Sequence, residues 1–169
     1  MIHKLFGINM TLYILTDWAG LVPVAVVLIW GTVGLVQLIK RRSLMKVEVD
    51  ILILGVYYIV VVALYVVFEM IPINYRPVLI DGIRETSYPS STTLLVLSVM
   101  PTLAFQADRR LESKPVSRGV GIFSGLFSVF MVVGRLLSGV HWLSDIIGAA
   151  LLSSGLVLMY RFISNLEVQ

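Results

Sequence analysis

Five long apolar segments, about residues 19–39, 51–71, 91–107, 119–138 and 142–160, dominate this 169-residue chain and leave it few ways to fold. A bilayer core is crossed by roughly 20 apolar residues in a helix. In lipid each segment must close its own backbone hydrogen bonds, so their richness in Val, Leu and Ile does not make them strands. The chain is 58% hydrophobic and 14% charged, against about half and about a quarter in a soluble domain. Mean hydropathy is +0.95. The reading is an all-α, polytopic transmembrane bundle of about five spans. No repeat, low-complexity tract or linker divides it, so 1–169 reads as one domain.

The connections set an orientation. Lys40, Arg41, Arg42 and Lys46 fill the first, Arg109, Arg110, Lys114 and Arg118 the third, and Arg161 follows the last span. The positive-inside rule puts these in the cytoplasm. The N-terminus is then outside and the C-terminus cytoplasmic, with residues 72–90 and the tight turn at Ser138-Gly139 facing outward. Trp18 and Trp142 then lie near the outer interface. Residues 1–18 read as an interfacial helix or an extension of the first span. Lys4 opens a moderately apolar stretch that Asp17 interrupts, with no small-residue cleavage site, which does not fit a cleaved signal peptide.

Composition also excludes chemistry. Without cysteine there is no disulfide framework, thiolate nucleophile or zinc-thiolate site. No cluster of metal-ligand residues stands out, so neither metal nor cofactor is expected. The net charge of +3 reflects topology, not nucleic acid. The expected partners are membrane lipids.

Against the charge bias, Arg76, Arg84 and Arg135 face outward. Arg135-x5-His141-x3-Asp145 sits where two apolar segments meet, and ionisable groups at such a place point to a functional site. His141 and Asp145, four apart, share a helix face. A carboxylate there fixes the imidazole tautomer and leaves the other ring nitrogen free as nucleophile or base. Arg76 and Arg135 offer planar forks suited to a tetrahedral oxyanion. Ser87, Ser90 and Thr92 come from the other outward connection. Ser90 opens the third span, where it reads either as a plain N-cap or as part of an anion site at the helix start.

Three stretches, Glu69-x6-Arg76-Pro77, Pro89-Ser90-Ser91-Thr92 and Gly134-Arg135-x5-His141-x3-Asp145, come in this order along the chain. They resemble the motifs K-x6-R-P, P-S-G-H and S-R-x5-H-x3-D of the type 2 phosphatidic acid phosphatase family. That family is an integral-membrane branch of the acid phosphatase and vanadium haloperoxidase superfamily. The resemblance covers about residues 50–160. It implies a metal-independent phosphatase in which His141 attacks phosphorus to form a phosphohistidine and Asp145 orients it. Arg76, Arg135 and Ser90 would bind the phosphoryl oxygens.

The first and second motifs are degenerate. The family lysine is Glu69 here, the general-acid histidine is Thr92, and the serine before Arg135 is Gly134. An alkoxide leaving group, with a conjugate acid of pKa roughly 15.7, needs a proton. A phosphate monoester leaving group, with a second pKa of about 6, does not. The missing acid therefore points to lipid diphosphates, with undecaprenyl diphosphate the outer-face candidate in a bacterium. The alternative is a catalytically impaired phospholipid-binding or scaffold protein of the same fold. A transporter has little support without a pair of broken helices. Asp81, Arg84 and Glu85 read as solvated surface, and Glu69 as a partner for Arg76 or Arg84. The tyrosines and methionines read as lipid-facing or packing residues.

Overall fold

The computed structural model describes residues 7–80 and 82–166. Lys4 and the start of the 1–18 segment, together with Asp81, lie outside the described residues. Six α-helices are present among the described residues: α1 Met10–Ala19, α2 Leu21–Arg41, α3 Val49–Met70, α4 Ser91–Arg110, α5 Lys114–Leu137 and α6 Leu143–Leu166. Among the described residues, four stretches are long and apolar enough to cross a membrane: Met10–Arg41, Val49–Met70, Lys114–Leu137 and Leu143–Leu166. The chain is a multi-pass membrane protein. Large apolar side chains such as Leu28, Ile59, Leu126 and Leu151 are exposed around the bundle, as a lipid-facing surface requires.

The expectation of five apolar spans needs correcting at the third. The helix is there, but Ser91–Arg110 is not among the stretches that qualify by hydropathy. The physical reason is its central position. α4 packs against α2, α3, α5 and α6, so its buried Ser98, Thr102 and Gln106 meet protein instead of lipid. Tyr57 Oη donates to the Ser98 carbonyl at 2.9 Å. The Tyr58 and Thr102 hydroxyls are 2.8 Å apart, and Gln106 Nε2 donates to Tyr160 Oη at 2.8 Å. Association in lipid rests on packing and on such bonds, each contributing about 0.6 kcal/mol on average. These tyrosines are therefore hydrogen-bonded core residues rather than simple packing groups.

One end of the bundle is tied by ion pairs. Arg110 contacts Glu48 and Asp50, each at 2.9 Å. Arg109 contacts Asp50 at 3.0 Å and donates to the Ser164 carbonyl at 3.3 Å. The Arg110 guanidinium, hydrogen-bonded to Glu48, holds that carboxyl below its usual range. Both basic connections therefore meet at one end. The ends of α3 and α5 and the starts of α4 and α6 gather at the other.

The described part of the N-terminal segment runs into the first span as one stretch, Met10–Arg41, and also docks on the bundle. Asn9 caps α1, its Oδ1 accepting from Leu12 N at 2.9 Å, and Asn9 N donates to the Ser138 carbonyl at 3.1 Å. α1 then lies on α5. The close approach depends on Gly134, where a Cβ would stand 2.6 Å from Thr16 Cγ2. Thr16 is fully buried, its hydroxyl donating to the Leu12 and Tyr13 carbonyls.

Candidate functional site

The turn between α5 and α6 delivers the histidine. Gly139 has φ 73°, a left-handed conformation that glycine adopts without steric cost. Its reversal places His141 just before α6 and Asp145 in that helix's first turn. Both are buried, at 3% and 0% exposure. Asp145 Oδ2 lies 3.6 Å from His141 Nδ1. The same oxygen accepts from Trp142 N at 2.8 Å and from the Ser87 hydroxyl. Ser87 Oγ is also 3.3 Å from Nδ1. The carboxylate is thus fixed from three directions and faces one side of the imidazole. His141 Nε2 is buried and makes no hydrogen bond among the described residues.

The segment between α3 and α4 folds back to meet this turn. Arg76 and Ser87 are held by backbone bonds, Arg76 N to the Glu85 carbonyl at 3.1 Å and Ser87 N to the Asn74 carbonyl at 2.9 Å. Trp142 Nε1 donates to the Tyr75 carbonyl at 2.8 Å, and Ser90 N to the Asp145 carbonyl at 3.1 Å. Ser90 is fully buried. It occupies the N-cap position of α4, but its side chain makes no capping bond and its hydroxyl has no partner among the described residues.

Arg76 and Arg135 converge on Tyr13, their guanidinium carbons 5.4 and 4.9 Å from its ring centroid. Such contacts contribute about 2 kcal/mol or more where the cation is desolvated. Arg135 is 2% exposed. Its Nη2 donates to Asp17 Oδ1 at 2.7 Å and to Thr92 Oγ1. Arg135 Nε and Nη1, and Arg76 Nη1, are buried without a hydrogen-bond partner among the described residues. Buried guanidinium N–H groups are costly to leave unpaired, and both guanidiniums are near enough to His141 to act on it electrostatically, so their lack of partners is informative.

Electrostatics ties the cluster together. Burial is the main force pushing the His141 pKa below its ordinary value. The nearby Asp145 carboxylate opposes that shift, and the charges of Arg76 and Arg135 add to it. The shift favours the neutral imidazole, the form that can attack an electrophile.

Other sequence expectations are redistributed. Glu69 pairs with neither Arg76 nor Arg84; it is exposed and accepts from Thr86 Oγ1 at 2.8 Å. Arg76 instead pairs with Glu85 at 3.0 Å, so Glu85 is not plain solvated surface. Arg84 lies over Tyr75, 4.7 Å from its ring centroid. Ser91 is half-buried at the first position of α4. Tyr13 and Asp17 join the cluster without belonging to any of the three motif stretches. The available signal was an aspartate inside an apolar run, four residues after a tyrosine. Among the described residues, no three His, Asp or Glu side chains gather as a metal site would need.

A solved structure with a similar fold is the first transmembrane PAP2 type phosphatidylglycerolphosphate phosphatase from Bacillus subtilis. The TM-score is 0.53 at 18% sequence identity, covering 88% of this chain and 77% of that chain. No protein-family profile matches the sequence, and neither does any curated protein. The likeness is one of fold: this chain has the helical architecture of a PAP2-type membrane phosphatase.

Proposed function

We propose that this protein is a lipid phosphatase or diphosphatase that works through a phosphohistidine on His141. The observation that carries the reading is the buried Nε2 of His141, which has no partner among the described residues, at the same end of the bundle as donors of Arg76, Arg135 and Ser90 that are likewise left without one. Nε2 attacks phosphorus and the ester or anhydride oxygen leaves with the electron pair. Water then attacks the phosphohistidine, releasing phosphate and restoring the imidazole. Asp145 holds Nδ1 and stabilises the cation formed in the first step, and Ser87 fixes Asp145. Arg76, Arg135 and Ser90 bind the phosphoryl oxygens, where fixed donors in a dry site do most of the catalytic work.

The solved neighbour, a phosphatidylglycerolphosphate phosphatase, supports a lipid phosphate as the substrate class. Thr92 gives its hydroxyl oxygen to Arg135 and cannot protonate an alkoxide. The preferred leaving group is then itself a phosphate, and a polyprenyl diphosphate such as undecaprenyl diphosphate fits. The site lies at the end of the bundle opposite the basic connections. With those in the cytoplasm, as the charge rule directs, it opens to the extracytoplasmic side of a bacterial cell membrane.

A second reading has its own observation. Both arginines already carry carboxylate partners, Asp17 and Glu85, which fits a phospholipid-binding scaffold that has lost turnover. Phosphate release from a panel of lipid monophosphates and diphosphates by the purified protein separates the two. An enzyme releases phosphate and loses this with His141→Ala, whereas a scaffold binds lipid phosphate and releases none in either form.

A further inference from the structure

A guanidinium grips a phosphate with two parallel N–H groups along one edge. It has two such edges, Nε with Nη2 and Nη1 with Nη2, and both need Nη2. In Arg135 that nitrogen serves Asp17 and Thr92, while Nε and Nη1 have no partner among the described residues. Arg135 therefore offers single N–H groups, not a fork, while α1 is docked. The Asp17 side chain is 58% exposed and Arg135 only 2%, so of the pair it is the carboxylate that can swing into solvent.

The surroundings show that this contact is built in. Gly134 admits Thr16 one residue before Asp17 in sequence, and one residue before Arg135 on the opposing helix. A Cβ at Gly20, where α1 gives way to α2, would stand 3.7 Å from Thr92 Cγ2. Two departures from the motif pattern, at 92 and 134, thus lie against the helix that carries Asp17. Tyr13, one turn earlier on that helix, lies beneath both arginines.

We propose that Asp17 is a specificity-determining residue of this site: its carboxylate competes with the phosphoryl group for Arg135 Nη2 and sets how tightly phosphate is held. The inference rests on the reading of Arg135 as a phosphate-binding residue. A weakly charged or singly charged group does not displace Asp17, and a phosphate able to take a full fork does. α1 is then part of the pocket wall and not only an anchor.

Titration calorimetry with inorganic phosphate tests this on detergent-purified protein. Asp17→Asn keeps the shape and removes the charge, and Asp17→Ser removes the charge with a smaller side chain. Both bind phosphate tighter than the starting protein, by about fivefold, the scale of one partly exposed ion pair. Asp17→Glu keeps the charge and stays near the starting affinity. Arg135→Gln loses the phosphate. Equal or weaker binding by both neutral variants would make Asp17 a brace for Arg135 and overturn the inference, while leaving the phosphatase reading intact. Phosphate binding that persists unchanged in Arg135→Gln overturns it too, because the anion then sits elsewhere. No phosphate binding by any form removes both the inference and the anion-site reading beneath it.

Discussion

Thr16 and Gly134 are packed so closely that the two helices carrying them tolerate no Cβ at position 134; it would lie 2.6 Å from Thr16 Cγ2. The serine of the related motif is therefore not accommodated here while α1 is docked. Gly134→Ser should destabilise the docking of α1 by about 1–3 kcal/mol, the usual cost of overpacking. Thr16→Ser removes the methyl and keeps the hydroxyl that bonds the Leu12 and Tyr13 carbonyls. In the Gly134→Ser background it should restore most of the loss. Detergent-based thermal unfolding of the single and double variants checks this, and additive effects would argue against the contact.

The leaving-group argument makes a rate prediction. Matched lipid diphosphates should turn over faster than monophosphates, by on the order of a hundredfold, the lower range of a general acid's contribution. Thr92→His should raise the monophosphate rate more than the diphosphate rate. Equal rates on both substrates in the starting protein would show that a proton reaches the leaving group by another route.

The pH profile carries a sign. Attack needs neutral His141, whose pKa lies below its ordinary value because of burial and the two guanidiniums. Activity therefore rises with pH through that lowered value, and the acid limb of kcat/KM falls below about 6.5, the free imidazole value. Arg76→Gln removes a positive charge that pushes the pKa down. It should move the acid limb to higher pH as well as lower the rate. An unmoved limb would separate Arg76 from the imidazole electrostatically.

How much of this could be read from the residues depended on whether the interaction was local. His141 and Asp145 are only four apart, so their nearness was legible, but not as a shared helix face: His141 precedes α6 and is turned onto Asp145 by the reversal at Gly139. The bundle followed from the length of the apolar runs. The third span is a helix as expected but less apolar than the other spans, and hydropathy does not say which face meets protein. Its Ser98, Thr102 and Gln106 are buried by neighbours distant in sequence. The pairing of Asp17 with Arg135 spans 118 residues, and no periodicity connects them. Arg76 took Glu85 over Glu69 because the segment after α3 doubles back, pairing Tyr75 with Thr86. Ser90 looked like a cap because its position invites one, yet its buried hydroxyl makes no such bond.

Topology has its own check. The segment 72–90 contributes to the site end, and residues 111–113 join α4 to α5 at the other. Cysteines placed at positions 80 and 112 should react with an impermeant thiol reagent from opposite sides of the membrane, with position 80 labelled from outside. Labelling of both from one side would reject the orientation.

The account's central claim is that His141 itself takes the phosphoryl group. Rapid quenching of turnover on a lipid diphosphate carrying a radiolabelled terminal phosphate tests it most directly. The account predicts protein-bound label that is stable to base, labile to acid and mapped to His141. The label should be absent in His141→Ala and reduced in Asp145→Asn, where the imidazole loses the charge that holds it. Turnover with no such label, or label that survives His141→Ala, would contradict it.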